Sequence, residues 1–126
     1  MQFDRDMLIK ISGASPEKCM KCGKCTASCP SFHEMEYHPH QFADMIISGD
    51  IEPLLKSKAS FLCLSCFACS ERCPRGVEPQ RLIEAVRLAA LRQKGVNHMK
   101  KELLDNVFSE DLPQQALTSA YRKYSK

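Results

Sequence analysis

The sequence predicts an all-α domain in which two cysteine-bearing loops lie between helices. The first observation is a repeated phrase, C-x2-C-x2-C-x3-C, which is followed each time by a proline, first Pro30 and then Pro74. The second is that the segments outside the two runs place apolar residues at helical spacing and are bounded by proline and glycine. Alternating patterns typical of strands are weak, so we expect helices to form the fold.

The segment between the two runs predicts an amphipathic helix. Residues Pro39–Ser48 place their apolar side chains on one broad face, with a proline in the first turn and Gly49 just past the end. A further turn or two is expected over Pro53–Lys58. We therefore expect the region between the runs to be helical and not extended.

Three more helices are predicted after the second run. The clearest is Pro79–Lys94, whose apolar residues form one stripe and whose end is marked by Gly95. Asn97 is suited to the N-cap of a helix that reaches Phe108. The segment Pro113–Tyr124 repeats the helical spacing and predicts a last helix.

We expect a single domain over residues 1–126. Its core would lie at about residues 15–95, and the C-terminal helices at 97–126 would pack on that core or dock a partner. A chain of 126 residues can bury a core but is short for one that holds both a substrate site and an organic cofactor site. On the longest predicted helix, Leu88 and Leu91 lie opposite the apolar stripe and predict either helix packing or a docking patch.

The two runs account for every cysteine in the chain. The first run contributes Cys19, Cys22, Cys25 and Cys29, and the second, 44 positions later, contributes Cys63, Cys66, Cys69 and Cys73. This is the ligand spacing of two-cluster iron–sulfur proteins, in which the fourth cysteine of each run binds the other cluster. The sequence therefore predicts two 4Fe-4S clusters, one bound by Cys19, Cys22, Cys25 and Cys73 and the other by Cys63, Cys66, Cys69 and Cys29.

Three other uses of these residues fit the sequence less well. Paired C-x2-C elements also build zinc sites, but zinc would bind two pairs per site and would leave four cysteines that need further sites. A disulfide scaffold is disfavoured because only 8 of 126 residues are cysteine, which lies below the range of such scaffolds. Histidine ligation is disfavoured because no cysteine is missing, and we expect surface or capping roles for His33, His38, His40 and His98.

Charge argues against nucleic-acid binding. The formal net charge is +3 with the cysteines counted as neutral. Each oxidised 4Fe-4S cluster with its thiolates contributes about −2, so the loaded chain would carry a charge of about −1. Near the runs, Lys21, Lys24, Arg72 and Arg75 outnumber Glu71 and would favour the reduced clusters unless solvent and salt screen them.

The N-terminal residues predict a cytoplasmic protein. The charges of Asp4, Arg5 and Asp6 fall among the first residues, which lack the long apolar run of a signal peptide. No stretch approaches the roughly 18 consecutive apolar residues of a transmembrane helix. We therefore expect any membrane association to come through a partner.

Two segments, CMKCGKCTASCP and FLCLSCFACSERCPRGVEPQRLIEAVR, resemble the C subunit of heterodisulfide reductase and its bacterial relatives. The resemblance runs from about Ser15 to Gly95 and is strengthened by the ending PQQALTSAYRKY. It implies an α-helical ferredoxin-like domain, whereas the small βαβ-type ferredoxin with the same spacing has short strands between its runs. The cysteine phrase alone is shared with iron–sulfur subunits of succinate dehydrogenase, fumarate reductase and glycolate oxidase.

The resemblance implies a non-catalytic member of an oxidoreductase complex. In that family, the C subunit passes electrons between a flavin-containing iron–sulfur partner, the A subunit, and a cysteine-rich partner that reduces the disulfide, the B subunit. The resemblance also implies the crossed ligation from Cys19 to Cys73 and from Cys63 to Cys29. This chain has no glycine-rich phosphate loop and no spare thiol, so we expect it to conduct electrons and not to catalyse.

Several functional alternatives remain open at the level of the sequence. One is an iron–sulfur relay of another anaerobic or quinone-linked complex. Others are a structural zinc or interaction module and a cluster-based redox sensor. Iron and sulfide content separates the zinc module from the rest, and electron exchange with partner subunits separates a relay from a sensor.

Overall fold

The computed structural model describes residues 3–92 and 109–124, and within these ranges all regular structure is helical. The chain forms two compact units, one of residues 2–91 and one made mainly of residues 92–126. None of the described helices is long and apolar enough to cross a membrane. The prediction of an all-α fold is confirmed.

The first unit consists of short helices joined by the two cysteine loops. In chain order its described elements are α1 (Arg5–Ser12), a 3-10 turn (Pro16–Lys18), α2 (Lys24–Ala27), α3 (Pro39–Ser48), α4 (Glu52–Lys56), α5 (Ala59–Leu62), α6 (Ala68–Arg72) and α7 (Pro79–Leu91). The second unit contains α8 (Gln114–Tyr124). Helices of four or five residues such as α2 and α6 are single turns, which need tertiary packing to be stable.

The longer predicted helices are confirmed, with small changes at their ends. Helix α3 has the predicted bounds and ends at Gly49, whose φ of 82° is the left-handed conformation that glycine adopts readily. Helix α7 ends at Leu91, earlier than the predicted Lys94, and α8 begins one residue after its predicted start. Helix α4 begins one residue before its predicted start. The helix predicted over Asn97–Phe108 lies outside the described residues.

Helix α1 is an element that sequence patterns did not predict. Its N-cap is Asp4, whose carboxylate accepts a 3.0 Å hydrogen bond from the N–H of Met7. Its C-terminal end is Gly13, at φ 63°. These two capping residues are the sequence signal for the helix, and Leu8 is the side chain that it buries.

Helix α7 is the central element of the first unit. It packs against α1, α3, α4, α5 and α6. The core between these helices is built from fully buried apolar side chains, namely Leu8, Phe42, Ile46, Leu54, Leu82, Ile83 and Val86. Burial of one such side chain stabilises the fold by about 1.5–3 kcal/mol. On the outer side of α7, Leu88 and Leu91 are exposed, and their role as a docking patch stays a prediction.

Arg87 on α7 ties the second cysteine run to the core. Its Nε and Nη2 atoms donate to the carbonyl oxygen of Ser60 at 2.8 and 2.6 Å, and Nη2 also donates to the carbonyl oxygen of Cys63 at 2.8 Å. Hydrogen bonds from a charged donor contribute about 1.5–3 kcal/mol, more than neutral ones. The first cysteine of the second run is therefore fixed against the central helix.

Candidate metal centre

The two cysteine runs adopt the same backbone conformation. Helix α2 follows the second cysteine of the first run, α6 follows that of the second run, and the two helices pack against each other. Lys21 and Ser65, which occupy the same place in the repeat, have left-handed φ values of 56° and 55°. Gly23 and Phe67 match in the same way, at 75° and 62°. The runs are therefore repeats in structure as well as in sequence.

This backbone turns N–H groups toward the sulfur atoms. Left-handed residues next to right-handed ones make successive N–H groups face one side, which forms a concave site for anions. The N–H of Lys21 donates to Cys19 Sγ at 3.4 Å, and the N–H of Val77 donates to Cys73 Sγ at 3.4 Å. Hydrogen bonds to the sulfur atoms help set the potential of a bound cluster.

The first cavity is lined by four thiols. Three belong to the first run, Cys19, Cys22 and Cys25, and the fourth is Cys73 of the second run. The residues enclose about 360 Å³ of empty space, part of it open to solvent. Cys25 is buried and Cys22 is exposed, so the site extends from the core to the surface.

The second cavity repeats this arrangement with the runs exchanged. Cys63, Cys66 and Cys69 line it together with Cys29 of the first run. Its empty volume, about 320 Å³, is close to that of the first cavity, so both suit a group of the same size. All eight cysteines are free thiols. Each fourth cysteine thus lines the cavity of the other run, and its ligation of that cluster stays a prediction.

The donor sets fit a cluster of several iron ions. Four thiols around one cavity are what a 4Fe-4S cluster requires. Within residues 3–92 and 109–124, no three Cys, His, Asp or Glu side chains converge on the position of a single metal ion. Burial raises the pKa of the Cys25 and Cys29 thiols and raises the pKa of Cys69 to about 11. Because thiolates are the ligands, cluster binding must displace these protons.

His40 lies at the first cavity, which corrects the expectation that the histidines are surface or capping residues. It lines the cavity from the first turn of α3, and its Nδ1 shares a 2.6 Å hydrogen bond with the hydroxyl of Thr26, the buried residue after Cys25. His38 is the N-cap of α3 and His33 is exposed, as expected. His98 lies outside the described residues. The sequence signal for His40 was its place at the start of the helix that follows the first run.

Polar atoms are arranged differently at the second cavity. Gln80 lines this cavity from the first turn of α7 and is buried. In the described part of the chain, its Oε1 and the Oγ of Ser70 are buried without a hydrogen-bond partner. Ser70 occupies the place that Thr26 has in the first run. The hydroxyl that meets a histidine at the first cavity therefore has no such partner at the second.

Comparison with known proteins gives one family and a group of similar chains. A family model described as a 4Fe-4S dicluster domain matches residues 15–77, half of the chain. The C subunit of the ferredoxin:CoB-CoM heterodisulfide reductase of Methanosarcina acetivorans is 32% identical over 61% of this chain and 31% of its own length. The iron-sulfur C subunit of the CoB–CoM heterodisulfide reductase of Methanopyrus kandleri is 36% identical, over 60% of this chain and 38% of its own.

A third relative covers more of the chain. The C subunit of the H(2):CoB-CoM heterodisulfide,ferredoxin reductase of Methanothermobacter thermautotrophicus is 35% identical over 69% of this chain and 47% of its own length. The chain thus spans less than half the length of each of these relatives.

The family match contains every cysteine that lines the two cavities. All eight lie within residues 15–77. The resemblance to the C subunit of heterodisulfide reductase is confirmed, and so are the two 4Fe-4S clusters, which sets aside the zinc and disulfide interpretations. The chain belongs to the 4Fe-4S dicluster domain family and is an iron–sulfur protein.

Proposed function

We propose that this chain is the electron-transfer subunit of a heterodisulfide-reductase-like complex. It relays electrons between a flavin-containing iron–sulfur subunit, A-like, and a cysteine-rich, disulfide-reducing subunit, B-like. The observation that carries this proposal is the pair of matched, thiol-lined cavities within one helical unit. When bound, each 4Fe-4S cluster supplies a one-electron redox couple.

The chain's own contribution is to hold, bury and orient the two clusters. The proposed ligands of one cluster are Cys19, Cys22, Cys25 and Cys73, and those of the other are Cys63, Cys66, Cys69 and Cys29. Because each run gives its fourth thiol to the other set, both runs are tied together. The spacing between the two redox groups then stays fixed, which a relay requires.

The relatives support a place in a complex of several subunits. Their names describe C subunits of CoB–CoM heterodisulfide reductases, and two of these names also include ferredoxin. We therefore propose a multi-subunit assembly for this chain as well. A cytoplasmic location suits it, because reducing compartments keep thiols free.

We assign no catalytic residue to the chain. All eight cysteines belong to the two proposed ligand sets, so none is left to attack a disulfide. Disulfide chemistry then belongs to the B-like subunit, and flavin chemistry belongs to the A-like subunit. This chain holds the conducting groups between them.

The test is electron exchange with both partners. The cluster-loaded chain is mixed without oxygen with the reduced A-like subunit and then with the B-like subunit and a disulfide, and visible absorbance is followed by stopped flow. We expect bleaching in the first step and recovery in the second, with the clusters intact throughout. The control omits this chain. Equal electron exchange between A-like and B-like subunits without it would contradict the relay, and cluster loss during the cycle would favour the sensor.

A further inference from the structure

The first turns of helices α3 and α7 contact both cavities. Each helix begins with a proline followed by a polar residue, Pro39 and His40 in α3 and Pro79 and Gln80 in α7. His40 and Pro79 line the first cavity, whereas Pro39 and Gln80 line the second. Each helix therefore places one polar side chain at one cavity, and the two side chains differ.

His40 is held in place by Thr26. The ring nitrogen Nδ1 shares a 2.6 Å hydrogen bond with the Thr26 hydroxyl, and the backbone N–H of His40 donates to the same oxygen at 3.3 Å. Thr26 is buried and follows Cys25, a proposed ligand, in α2. Two bonds to one buried oxygen fix both the backbone and the ring of His40. The imidazole therefore has a set orientation at the first cavity.

Few side chains can donate a hydrogen bond into the first cavity. Among the described residues that line it, the polar side chains other than the thiols are those of His40 and Arg75. Arg75 is exposed, so water competes for its donors, whereas His40 is half-buried. A hydrogen bond is stronger where water is excluded. His40 is therefore the better-placed donor.

We propose that His40 donates a hydrogen bond from Nε2 to a sulfur atom of the first cluster, and that the Thr26 hydroxyl positions the ring for it. His40 thereby contacts the redox group, and Thr26 is a positioning residue that acts through His40. The inference rests on the two clusters and not on the relay between subunits. A failure of the relay test would therefore leave it intact.

The hydrogen bonds of the ring determine which nitrogen carries the hydrogen. A neutral imidazole has one N–H donor and one acceptor nitrogen. Because Thr26 takes Nδ1, Nε2 is the ring nitrogen left for the cavity, and no described residue forms a hydrogen bond with it. Thiolates and sulfides are acceptors, so they would repel a bare Nε2. Donation from the Thr26 hydroxyl to Nδ1 leaves the hydrogen on Nε2, and a protonated ring would carry one there as well.

Such a bond raises the reduction potential of the first cluster. An oxidised 4Fe-4S cluster with four thiolates carries a charge of about −2, and one-electron reduction adds a further negative charge. Negative charge on the acceptor strengthens a hydrogen bond, so the donor stabilises the reduced state more than the oxidised state. Loss of the donor should therefore make the first cluster harder to reduce.

Within the described residues, the second cavity has no equivalent of the Thr26–His40 pair. Gln80 occupies the matching place on α7, but its Nε2 donates to Glu84 at 3.4 Å. Its Oε1 and the Oγ of Ser70 are buried without a partner in this part of the chain. Substitution of His40 is therefore expected to change one redox couple and to leave the other as it was.

The first test compares three substitutions of His40 in redox titrations of the cluster-loaded chain, followed by electron paramagnetic resonance. His40→Leu removes both ring nitrogens and should lower the reduction equilibrium constant of one cluster about tenfold, which is about 59 mV for a one-electron couple. His40→Gln keeps an N–H donor near the place of Nε2 and should restore most of the loss. His40→Asn keeps a polar atom near the place of Nδ1 but no donor at Nε2, so it should behave like His40→Leu.

The second test detects the bond without changing His40. Chain labelled with heavy nitrogen only in its histidines is reduced without oxygen, and electron spin echo spectroscopy measures the coupling of that nitrogen to the cluster spin. We expect one coupled histidine in the wild-type chain. The matched control is His33→Asn/His38→Asn/His98→Asn, which leaves His40 as the one histidine and should keep the coupling. Asparagine at position 38 preserves a good N-cap for α3.

Each outcome decides the inference. Restoration by His40→Gln but not by His40→Asn, together with a coupling that the triple variant keeps, supports it. A potential that His40→Leu leaves unchanged, or a His40→Gln variant that restores no more than His40→Asn, overturns it. So does a wild-type chain without a coupled histidine.

Iron analysis separates these effects from loss of a cluster. Each variant should hold about eight iron ions per chain. If the His40 variants hold fewer, the coupling decides alone, because the wild-type chain and the triple variant both keep His40. A coupling that is present in the wild-type chain and absent from the triple variant would assign the donor to another histidine and overturn the inference.

Discussion

The first and second cavities share a ligand loop but differ in their surroundings. At the first cavity the Thr26 hydroxyl meets His40. At the second, the paired Ser70 Oγ has no partner among the described residues, and Arg87 holds the loop from the side of α7. The repeated cysteine spacing is thus associated with one loop conformation, whereas residues outside the repeated phrase set the hydrogen bonds around it.

The different surroundings can give two clusters of the same type different reduction potentials. Clusters of one type in matching loops would have equal potentials if their surroundings were equal. Hydrogen bonds, burial and nearby charge separate the potentials. Exposed Lys18, Lys21 and Lys24 lie on the loop of the first run, whereas the half-buried Arg87 lies at Cys63 of the second run. Positive charge favours the more negative, reduced state of a nearby cluster. We therefore expect the two clusters to have different potentials.

Among substitutions that separate the two clusters, the largest effect is expected for Cys29→Ser. Cys29 belongs to the first run but lines the second cavity, so its loss should destabilise the second cluster and spare the first. Iron analysis after anaerobic purification should fall from about eight ions per chain to about four. Ser28→Ala is the matched control, with both clusters expected in its electron paramagnetic resonance spectrum. Damage confined to the first cluster would contradict the crossed ligand sets.

A smaller effect is expected for Arg87→Met, which removes the donor to the carbonyl oxygens of Ser60 and Cys63. The free energy of unfolding should fall by about 2–4 kcal/mol, and the second cluster should be released before the first. Denaturant titration followed by circular dichroism and visible absorbance measures both. The control is Arg81→Met, which removes an exposed arginine of the same helix, 3.3 Å from Glu78, and should change stability by about 0–1 kcal/mol. Equal losses of unfolding free energy in the two variants would show that the Arg87 hydrogen bonds do not stabilise the second cysteine run.

The smallest effect is expected for Thr26→Val, which keeps the side-chain shape and removes the hydroxyl that bonds His40. One hydrogen bond is worth about 1 kcal/mol, which corresponds to about 40 mV for a one-electron couple. We expect the potential of the first cluster to shift by up to that amount in a redox titration. Ser70→Ala is the paired control and should shift the second potential less, because its Oγ has no partner in the described part of the chain. Equal shifts at both clusters would show that His40 does not distinguish them.

Local signals explain which helices the sequence predicted. Helix α3 has proline at its first position and glycine after its last, and its bounds match the prediction. Helix α1 was missed because Leu8 is its one buried residue, which leaves too thin an apolar stripe to detect. Helices α2 and α6, with four and five residues, are too short to show a helical period.

By itself the sequence determined the number and spacing of the cysteines, the type of metal group and the longer helices. These are local properties, since a cluster loop needs thiols at fixed offsets and an amphipathic helix needs a fixed period. Only the tertiary structure decided that His40 meets Thr26, 14 positions away, and that Arg87 meets Cys63, 24 positions away. Such contacts join different elements, so they depend on how α3 and α7 pack against the cysteine loops, which no local pattern encodes.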